Sequence, residues 1–116
     1  MNLTEAYELH IEWKKRFHNA ITNREHIDAD VIASDSCCDL GKWLFGEAKD
    51  KFGGKNAYSE CIQKHAAFHV EAGVIAKLIN EGRYTEAENL LDADAYSLTS
   101  QAVGYAIFKL GEEIDD

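Results

Sequence analysis

Residues 56–80 read NAYSECIQKHAAFHVEAGVIAKLIN, and their apolar and histidine side chains recur at intervals of four and three residues. That interval returns to one face of an α-helix, so the stretch predicts a long amphipathic helix. The face consists of Tyr58, Ile62, His65, His69, Ala72, Ala76 and Ile79. Because His65 and His69 are four residues apart, both imidazoles lie on the buried face, where one rigid element can offer two ligands to a metal.

The same spacing predicts helices before this stretch. Residues 3–22 form a helix whose predicted buried stripe is Ala6, His10, Trp13, Phe17 and Ala20. After a polar segment, Ser36-x-x-Asp39 resembles the N-terminal cap of a short helix that continues to Phe45. Gly53 is expected to end that helix, and Gly82 fits the left-handed position after the helix of residues 56–80.

A last helix is predicted over residues 85–113, opened by a capping box at Thr85-x-x-Glu88. It carries two apolar stripes. The first is Leu91, Ala95, Leu98, Ala102 and Tyr105, and the second is Val103, Ile107, Leu110 and Ile114. Two stripes are more than one small core uses, so we expect one of them to pack against another subunit or against the rest of a longer protein.

The chain has no proline and no strand-like alternation of apolar and polar residues. The predicted fold is therefore all-α, a four-helix bundle with an additional short helix or irregular segment around residues 23–46. A length of 116 residues is about that of one domain. We accordingly expect residues 1–116 to form a single domain.

Composition excludes several classes of function. The formal net charge is -9, so the surface repels phosphate backbones and anionic lipid headgroups, and neither nucleic acid nor membranes are expected partners. No apolar run approaches the ~20 residues of a spanning helix, and no signal peptide opens the chain, which favours a cytoplasmic location. The three cysteines are an odd number and are expected to be reduced thiols.

Four residues form a candidate metal site: His10, Cys38, His65 and His69. One thiolate with imidazoles is a ligand set suited to zinc, which takes four ligands in a closed protein site. A single buried histidine is more often hydrogen-bonded to a carbonyl or a carboxylate. Three histidines on converging buried stripes, together with a cysteine, favour the metal, because burying unpaired polar groups costs about 1–3 kcal/mol apiece.

Three elements carry a family resemblance: His10-x-x-Trp13, then Cys38-Asp39-Leu40-Gly41-Lys42-Trp43, then His65-x-x-x-His69. In this order the chain resembles the chemoreceptor zinc-binding domain of bacterial sensory proteins. The resemblance implies a four-helix bundle that binds one zinc ion per chain through His10, Cys38, His65 and His69. It also implies a homodimer that controls a chemoreceptor signalling module or a diguanylate cyclase.

Other residues near these elements have expected roles of their own. Trp13 and Trp43 are predicted to wall the core around the metal, and Asp39 to orient an imidazole or cap a helix. Cys37 adjoins Cys38, and Cys61 lies four residues before His65, so either remains an alternative sulfur ligand. The remaining histidines match no family element and are expected near the surface: His18 and His26.

Four protein ligands leave no open position for water, so the predicted function is regulatory and not enzymatic. The predicted signal is zinc availability or oxidation of the redox-sensitive Cys38, and the resemblance implies an oxidant such as hypochlorous acid. One alternative is a hemerythrin-like or di-iron bundle, although Lys14 stands four residues after His10 where such sites need a carboxylate. Another is a metal-free helical interaction module. The chain is either a stand-alone sensor or part of a longer protein.

Overall fold

The computed structural model describes residues 1–114, which contain α-helices and no β-strand. The all-α prediction is therefore confirmed for this range, and Asp115 and Asp116, the end of the predicted domain, lie outside it. The helices are α1 (Leu3–Ile11), α2 (Trp13–Asn23), α3 (Ala29–Ala33), α4 (Asp39–Phe45), α5 (Glu47–Phe52), α6 (Asn56–Asn80), α7 (Tyr84–Leu91) and α8 (Asp94–Ile114). Within residues 1–114, no helix is both long and apolar enough to cross a membrane.

The first predicted helix is divided in two. It begins after Asn2, whose side chain accepts a hydrogen bond from the Glu5 N–H at 3.0 Å and so caps α1. Glu12 separates α1 from α2 but keeps right-handed helical dihedral angles (φ -68°, ψ -14°). The chain therefore continues in nearly the same course, and the predicted stripe of α1 and α2 buries His10 and Phe17.

The segment of residues 23–46 holds the two short helices α3 and α4, in agreement with the expected short helix or irregular segment. Asn80, at the end of α6, holds the start of this segment through two hydrogen bonds to Ile27. The Asn80 Oδ1 accepts from the Ile27 N–H at 2.8 Å, and the Asn80 amide donates to the Ile27 carbonyl at 2.6 Å. α3 then packs along α6, where a Cβ on Gly73 would lie 2.5 Å from Ala33 Cβ. Glycine at position 73 is thus what permits this close approach.

The predicted start of the next helix at Ser36 is wrong. α4 begins at Asp39, and the residue that caps it is Cys38, whose sulfur accepts from the Gly41 N–H at 3.3 Å. The Ser36 N–H instead donates to the Ser34 hydroxyl at 3.3 Å, in the segment between α3 and α4. Gly46 ends α4, and a separate helix, α5, follows before the predicted stop at Gly53.

α6 is the central helix of the core, and its 25 residues match the predicted range. It packs against α3, α7 and α8. Its C-terminal end is closed as predicted by Gly82, which has φ +77°. There the Arg83 N–H donates to the Leu78 carbonyl at 2.9 Å and the Gly82 N–H to the Ile79 carbonyl at 3.0 Å, the hydrogen-bond pattern of a Schellman motif.

The predicted continuous helix over residues 85–113 is wrong. α7 begins at Tyr84 without a side-chain cap, so the capping box at Thr85 and Glu88 does not form. It ends at Leu91, because the Ala93 N–H turns back to the Leu90 carbonyl in a tighter turn, and α8 starts afresh at Asp94.

This break sets which apolar stripe of α8 is buried. The second predicted stripe faces the core, with Val103, Ile107 and Leu110 almost fully buried. Of the first stripe only Leu91, which belongs to α7, is buried, and Leu98 and Tyr105 are each 65% exposed. The helices pair in antiparallel order, α1 against α8 and α2 against α7, with α6 behind both pairs.

Candidate metal centre

The four predicted ligand residues come from three parts of the chain and meet at one point. His10 lies in the last turn of α1, Cys38 directly before α4, and His65 and His69 one turn apart in α6. One ligand atom from each residue lies within 4.8 Å of all the others. The three imidazoles are buried, and Cys38 is half-buried. Within residues 1–114 this is where a group of metal-binding side chains converges.

The distances between three of the ligand atoms suit a tetrahedral zinc site. Zinc–ligand lengths of about 2.0 Å to nitrogen and 2.3 Å to sulfur imply separations of roughly 3.3 Å between two nitrogens and 3.6 Å between nitrogen and sulfur. His65 Nε2 and His69 Nε2 are 3.0 Å apart. Cys38 Sγ lies 3.2 Å from His65 Nε2 and 3.6 Å from His69 Nε2. These atoms therefore need to move only a few tenths of an ångström to bind one ion.

Backbone carbonyls fix the tautomer of two imidazoles. The His10 Nδ1–H donates to the Ala6 carbonyl at 2.7 Å, and the His69 Nδ1–H donates to the Ile32 carbonyl at 2.7 Å. A carbonyl oxygen only accepts, so Nδ1 must carry the proton in both rings, and Nε2 keeps a lone pair directed into the cluster. His10 Nε2 is buried and has no hydrogen-bond partner within residues 1–114. A metal cation can accept the electron pairs of these Nε2 atoms.

The third imidazole is held by packing. His65 Nδ1 is buried and has no hydrogen-bond partner within the part of the chain that the structure describes. Its ring meets the rings of His69 and His10 edge-on, with centroid separations of 4.5 and 5.1 Å. Phe68 lies 5.3 Å from the His10 ring and adds an apolar wall.

Burial keeps the imidazoles neutral. Burial, together with the neighbouring His69 and His10, lowers the pKa of His65 to about 3. Desolvation likewise lowers the pKa of His10 and of His69, although in both rings the hydrogen bond to a backbone carbonyl acts in the opposite direction. Neutral imidazole is the form that binds a metal, so the cluster is ready to coordinate at neutral pH.

Cys38 combines two roles. Its sulfur caps α4 through the Gly41 N–H and points toward His65 and His69. Burial raises the pKa of the Cys38 thiol, and the backbone N–H of Gly41 partly offsets that effect. A metal binds the thiolate, so binding releases the proton that the metal-free site retains. Gly41 has no room for a side chain, because a Cβ there would overlap the carbonyl oxygen of Asp35.

The structure separates the alternative sulfur ligands from the cluster. Cys37 is exposed, and Cys61 is fully buried in the apolar core. Burial raises the pKa of Cys61 to about 12, as expected of an inert core thiol. Neither residue belongs to the group of converging ligands.

The other predicted neighbours occupy different positions around the site. Trp13 lines the same cavity as His10. Its ring centroid lies 5.2 Å from that of Phe17, and the Arg16 guanidinium lies over the Trp13 ring, 4.1 Å from its centroid. The ring of Trp43 contacts Phe52, with 6.2 Å between the two ring centroids.

Asp39 is exposed in the first turn of α4, and backbone carbonyls, not Asp39, accept the hydrogen bonds that orient His10 and His69. The two remaining histidines are near the surface as expected. His26 is exposed, and His18 lies 3.3 Å from Asp92.

Sequence reasoning missed the role of α3. The carbonyl of Ile32 orients His69, and backbone atoms leave no trace in a pattern of side chains. The signal that was present is Gly73, a glycine inside a long helix one turn after His69, since such a glycine often marks the close approach of another backbone.

A cavity of about 460 Å³ connects the cluster with the surface. The buried His10 and His69 and the half-buried Cys38 line it together with exposed residues, among them Arg16, Glu5 and Met1. The cavity therefore extends from the cluster toward the surface.

The donor set decides which metal fits. Three imidazole nitrogens and one thiolate sulfur, without a carboxylate, suit zinc, whereas di-iron sites need bridging carboxylates. The cluster thus suits one zinc ion per chain, and the hemerythrin-like alternative has no supporting residues in it.

Comparison with known proteins agrees with this assignment. The family model of the chemoreceptor zinc-binding domain matches residues 10–76, which include all four residues of the cluster and extend from the end of α1 into α6. Searches of curated proteins and of solved structures gave no match. The matched range is more than half of the chain, and the expected resemblance is confirmed. The chain belongs to the chemoreceptor zinc-binding domain family.

Proposed function

We propose that this chain is a zinc-binding regulatory domain whose ligands are His10, Cys38, His65 and His69. The observation that carries the proposal is the pair of inward lone pairs on His10 and His69, fixed by hydrogen bonds at Nδ1, beside a cysteine sulfur. His10 Nε2 is buried and has no hydrogen-bond partner within residues 1–114, and a bound cation removes the cost of that unpaired acceptor. Membership of a zinc-binding family supports zinc as the cation.

A regulatory role follows from the number of ligands. Four protein ligands fill a tetrahedron and leave no coordination position for a substrate or for a nucleophilic water. We therefore propose no catalytic activity for the site.

The proposed signal is a change in how the helices around the site pack against one another. Zinc, when bound, supplies a tie between α1, the start of α4 and α6. His69 also holds α3 through the Ile32 carbonyl, so a fourth segment is attached to the same point. Occupancy of the site is then linked to the arrangement of these helices, because a ligand favours the packing in which it binds best.

We propose two stimuli for this switch. One is the concentration of available zinc. The other is oxidation of Cys38, for example by hypochlorous acid, since an oxidised sulfur is a poor metal ligand and the 460 Å³ cavity gives oxidants access. The proposed output is a chemoreceptor signalling module or a diguanylate cyclase, in the same chain or in a partner, in the cytoplasm.

Metal content tests the ligand assignment. Protein purified without added metal is expected to hold one zinc per chain by elemental analysis, and Cys38→Ser is expected to lose it. Cys37→Ser is the matched control, because it removes the adjacent exposed thiol and leaves the cluster intact. Iron in place of zinc, or zinc retained equally by both variants, contradicts the proposal.

We also propose a bundle architecture for residues 1–116 as one domain. The three longer elements of this bundle are α1 with α2, α7 with α8, and α6. The series from α3 to α5 supplies the fourth side. The antiparallel pairing of α1 with α8 and of α2 with α7, together with the packing of α3 on α6, supports this arrangement.

The proposed assembly is a homodimer formed through an apolar groove between α1 and α8. The groove has a volume of about 810 Å³. Exposed side chains from both helices line it: Tyr7, Ile11, Tyr105 and Phe108. Contiguous apolar surface of this kind is typical of an interaction site, and a symmetric dimer needs one patch that complements itself.

Oligomeric state tests the groove. Tyr105→Glu is expected to convert a dimer into a monomer in light scattering, while zinc content stays at one per chain. Val70→Glu is the matched control, since Val70 on α6 is also 65% exposed but lies outside the groove. A Tyr105→Glu protein that remains dimeric would place the interface elsewhere.

A further inference from the structure

The zinc site does not account for Cys37. This residue stands next to Cys38, carries a free thiol and is exposed. Both cysteines line the cavity of about 460 Å³ that leads to His10 and His69. An oxidant that reaches the Cys38 sulfur through this cavity therefore acts next to a second thiol, that of Cys37. The proposed zinc site does not use Cys37.

The backbone here lies outside the helices. Residues 35–38 form a turn and a bend between α3 and α4, and Cys38 itself has extended dihedral angles (φ -84°, ψ 160°). The dihedral angles of residues 35–37 can adjust without breaking the first backbone hydrogen bond of α4, in which the Cys38 carbonyl accepts from the Lys42 N–H at 3.0 Å. The hydrogen bond that depends on the Cys38 sulfur comes from the Gly41 N–H.

We propose that Cys37 is the resolving thiol of Cys38, so that oxidation of the cluster ends in a disulfide between these two neighbours. The proposal rests on the function proposed above, in which Cys38 is both a zinc ligand and the target of an oxidant. A two-electron oxidant such as hypochlorous acid transfers oxygen to the Cys38 sulfur and leaves as chloride. The Cys37 sulfur then attacks the Cys38 sulfenic acid, an S–S bond forms, and the oxygen departs as water with both protons.

Such a disulfide is expected to be easily reduced. Neighbouring Cα atoms are about 3.8 Å apart across a trans peptide, which is shorter than the roughly 4.4–6.8 Å of ordinary disulfides. Strained disulfides have more oxidising potentials and belong to labile and regulatory sites. Cellular thiols can therefore restore both cysteines.

The bond changes the site in two ways at once. The Cys38 sulfur ceases to be a thiolate ligand near His65 and His69, and it loses the geometry in which it accepts from the Gly41 N–H. Capture by Cys37 also prevents further oxidation of Cys38 to the sulfinic acid, which thiols do not reverse. Cys37 thus makes the oxidative response reversible.

The third cysteine is a poor competitor for this role. Cys61 is fully buried in the apolar core, and it is absent from the residues that line the cavity. Its position makes it an internal reference for oxidation.

Peptide mapping of the zinc-loaded chain tests the inference. The protein is treated with one molar equivalent of hypochlorous acid, with dimedone present to label sulfenic acid, then alkylated and digested with trypsin. Cleavage after Arg24 and Lys42 leaves Cys37 and Cys38 in one peptide, and Cys61 falls in the peptide of residues 56–64. Released zinc is measured in the same sample.

We expect wild-type peptide 25–42 to be two hydrogens lighter and free of dimedone, and a thiol reductant to restore zinc binding. Cys37→Ser should bind zinc before treatment and release it on oxidation, but its Cys38 should carry dimedone or added oxygen. Reductant should then fail to restore the oxygenated fraction. Alkylated Cys61 in both proteins shows that oxidation was confined to the exposed pair.

Three results overturn the inference. In the first, wild-type Cys38 carries dimedone to the same extent as in Cys37→Ser. In the second, the disulfide joins two chains on a non-reducing gel. In both of these cases zinc release still supports the proposed function, and only the role of Cys37 fails. In the third, the untreated chain holds no zinc, or the oxidised chain keeps it, and the proposed function fails together with the inference.

Discussion

Replacing Gly73 by alanine tests whether the contact between α3 and α6 positions a zinc ligand. Gly73 lies one turn after His69, on the side of α6 against which Ala33 packs. The Ile32 carbonyl that orients His69 is the neighbour of Ala33 in α3. Any displacement of α3 at this contact therefore reaches the hydrogen bond to His69.

The structure gives the size of the effect. A Cβ at residue 73 would lie 2.5 Å from Ala33 Cβ and 2.8 Å from Ala33 Cα, whereas packed carbon atoms are about 3.5–4.0 Å apart. α3 must then move by roughly 1 Å. Overpacking costs about 1–3 kcal/mol, and the higher helix propensity of alanine offsets up to about 1 kcal/mol of that cost. The expected net loss is therefore up to about 2 kcal/mol in the unfolding free energy of the metal-free protein.

The larger effect is expected on zinc affinity. The same movement separates His69 Nδ1 from the Ile32 carbonyl, which are 2.7 Å apart. Loss of a hydrogen bond that orients a metal ligand lowers metal affinity about 10–100-fold. Competition with a chromophoric chelator measures the affinity, and urea unfolding of the metal-free protein measures the stability.

Two further variants make the test specific. Gly111→Ala is the matched control in α8, since its Cβ would meet Leu3 Cδ1 at 3.7 Å, an ordinary contact. It should leave zinc affinity unchanged. Ala33→Gly combined with Gly73→Ala should recover part of the lost affinity, because it removes the closest atom. Wild-type zinc affinity in Gly73→Ala would refute the claim that α3 holds His69.

Three further predictions concern stability and pH. Burial lowers the pKa of all three clustered histidines below 6.5, so their contribution to the stability of the metal-free protein is present above that pH and is lost on acidification. His65, with a pKa of about 3, alone accounts for about 1.4 kcal/mol between about pH 7.5 and 5.5. Urea unfolding should therefore show a loss of at least that size over this range, and a flat profile contradicts this. Cys38→Ser should keep the cap of α4 and change the unfolding free energy of the metal-free protein by less than about 0.5 kcal/mol. Cys38→Ala removes the cap and should cost about 1 kcal/mol. Equal losses in the two variants would show that the sulfur does not act as a cap. Asn80→Ala leaves both backbone groups of Ile27 without their partner and should cost about 1–3 kcal/mol in thermal or urea unfolding, against little change for exposed Asn56→Ala.

Spacing along the sequence was sufficient to locate the buried imidazoles. His10, His65 and His69 stand at positions three or four residues from apolar neighbours, and a helix converts that interval directly into a shared face. The long range of α6 and the left-handed Gly82 followed from the same local rules. These features depend on neighbours in sequence, so a sequence contains them.

The features that were missed depend on atoms distant in sequence or on competing local choices. Ser36 and Cys38 can each cap a helix, and the residue that caps α4 is Cys38, whose sulfur accepts from the Gly41 N–H. Because the chain breaks between α7 and α8, the buried positions of α8 do not continue the spacing of those in α7. A prediction that treats the two helices as one therefore assigns the wrong buried face. The Ile32 carbonyl that orients His69 is a backbone group. Since every residue has such a group, the sequence does not indicate this role.

α1 connects the metal cluster with the apolar groove. His10 faces the interior near the end of this helix, while Ile11 and Tyr7 of the same short helix form one wall of the groove. A displacement of α1 at His10 is therefore expected to displace Tyr7 as well, so occupancy of the metal cluster and the shape of the groove depend on the same helix.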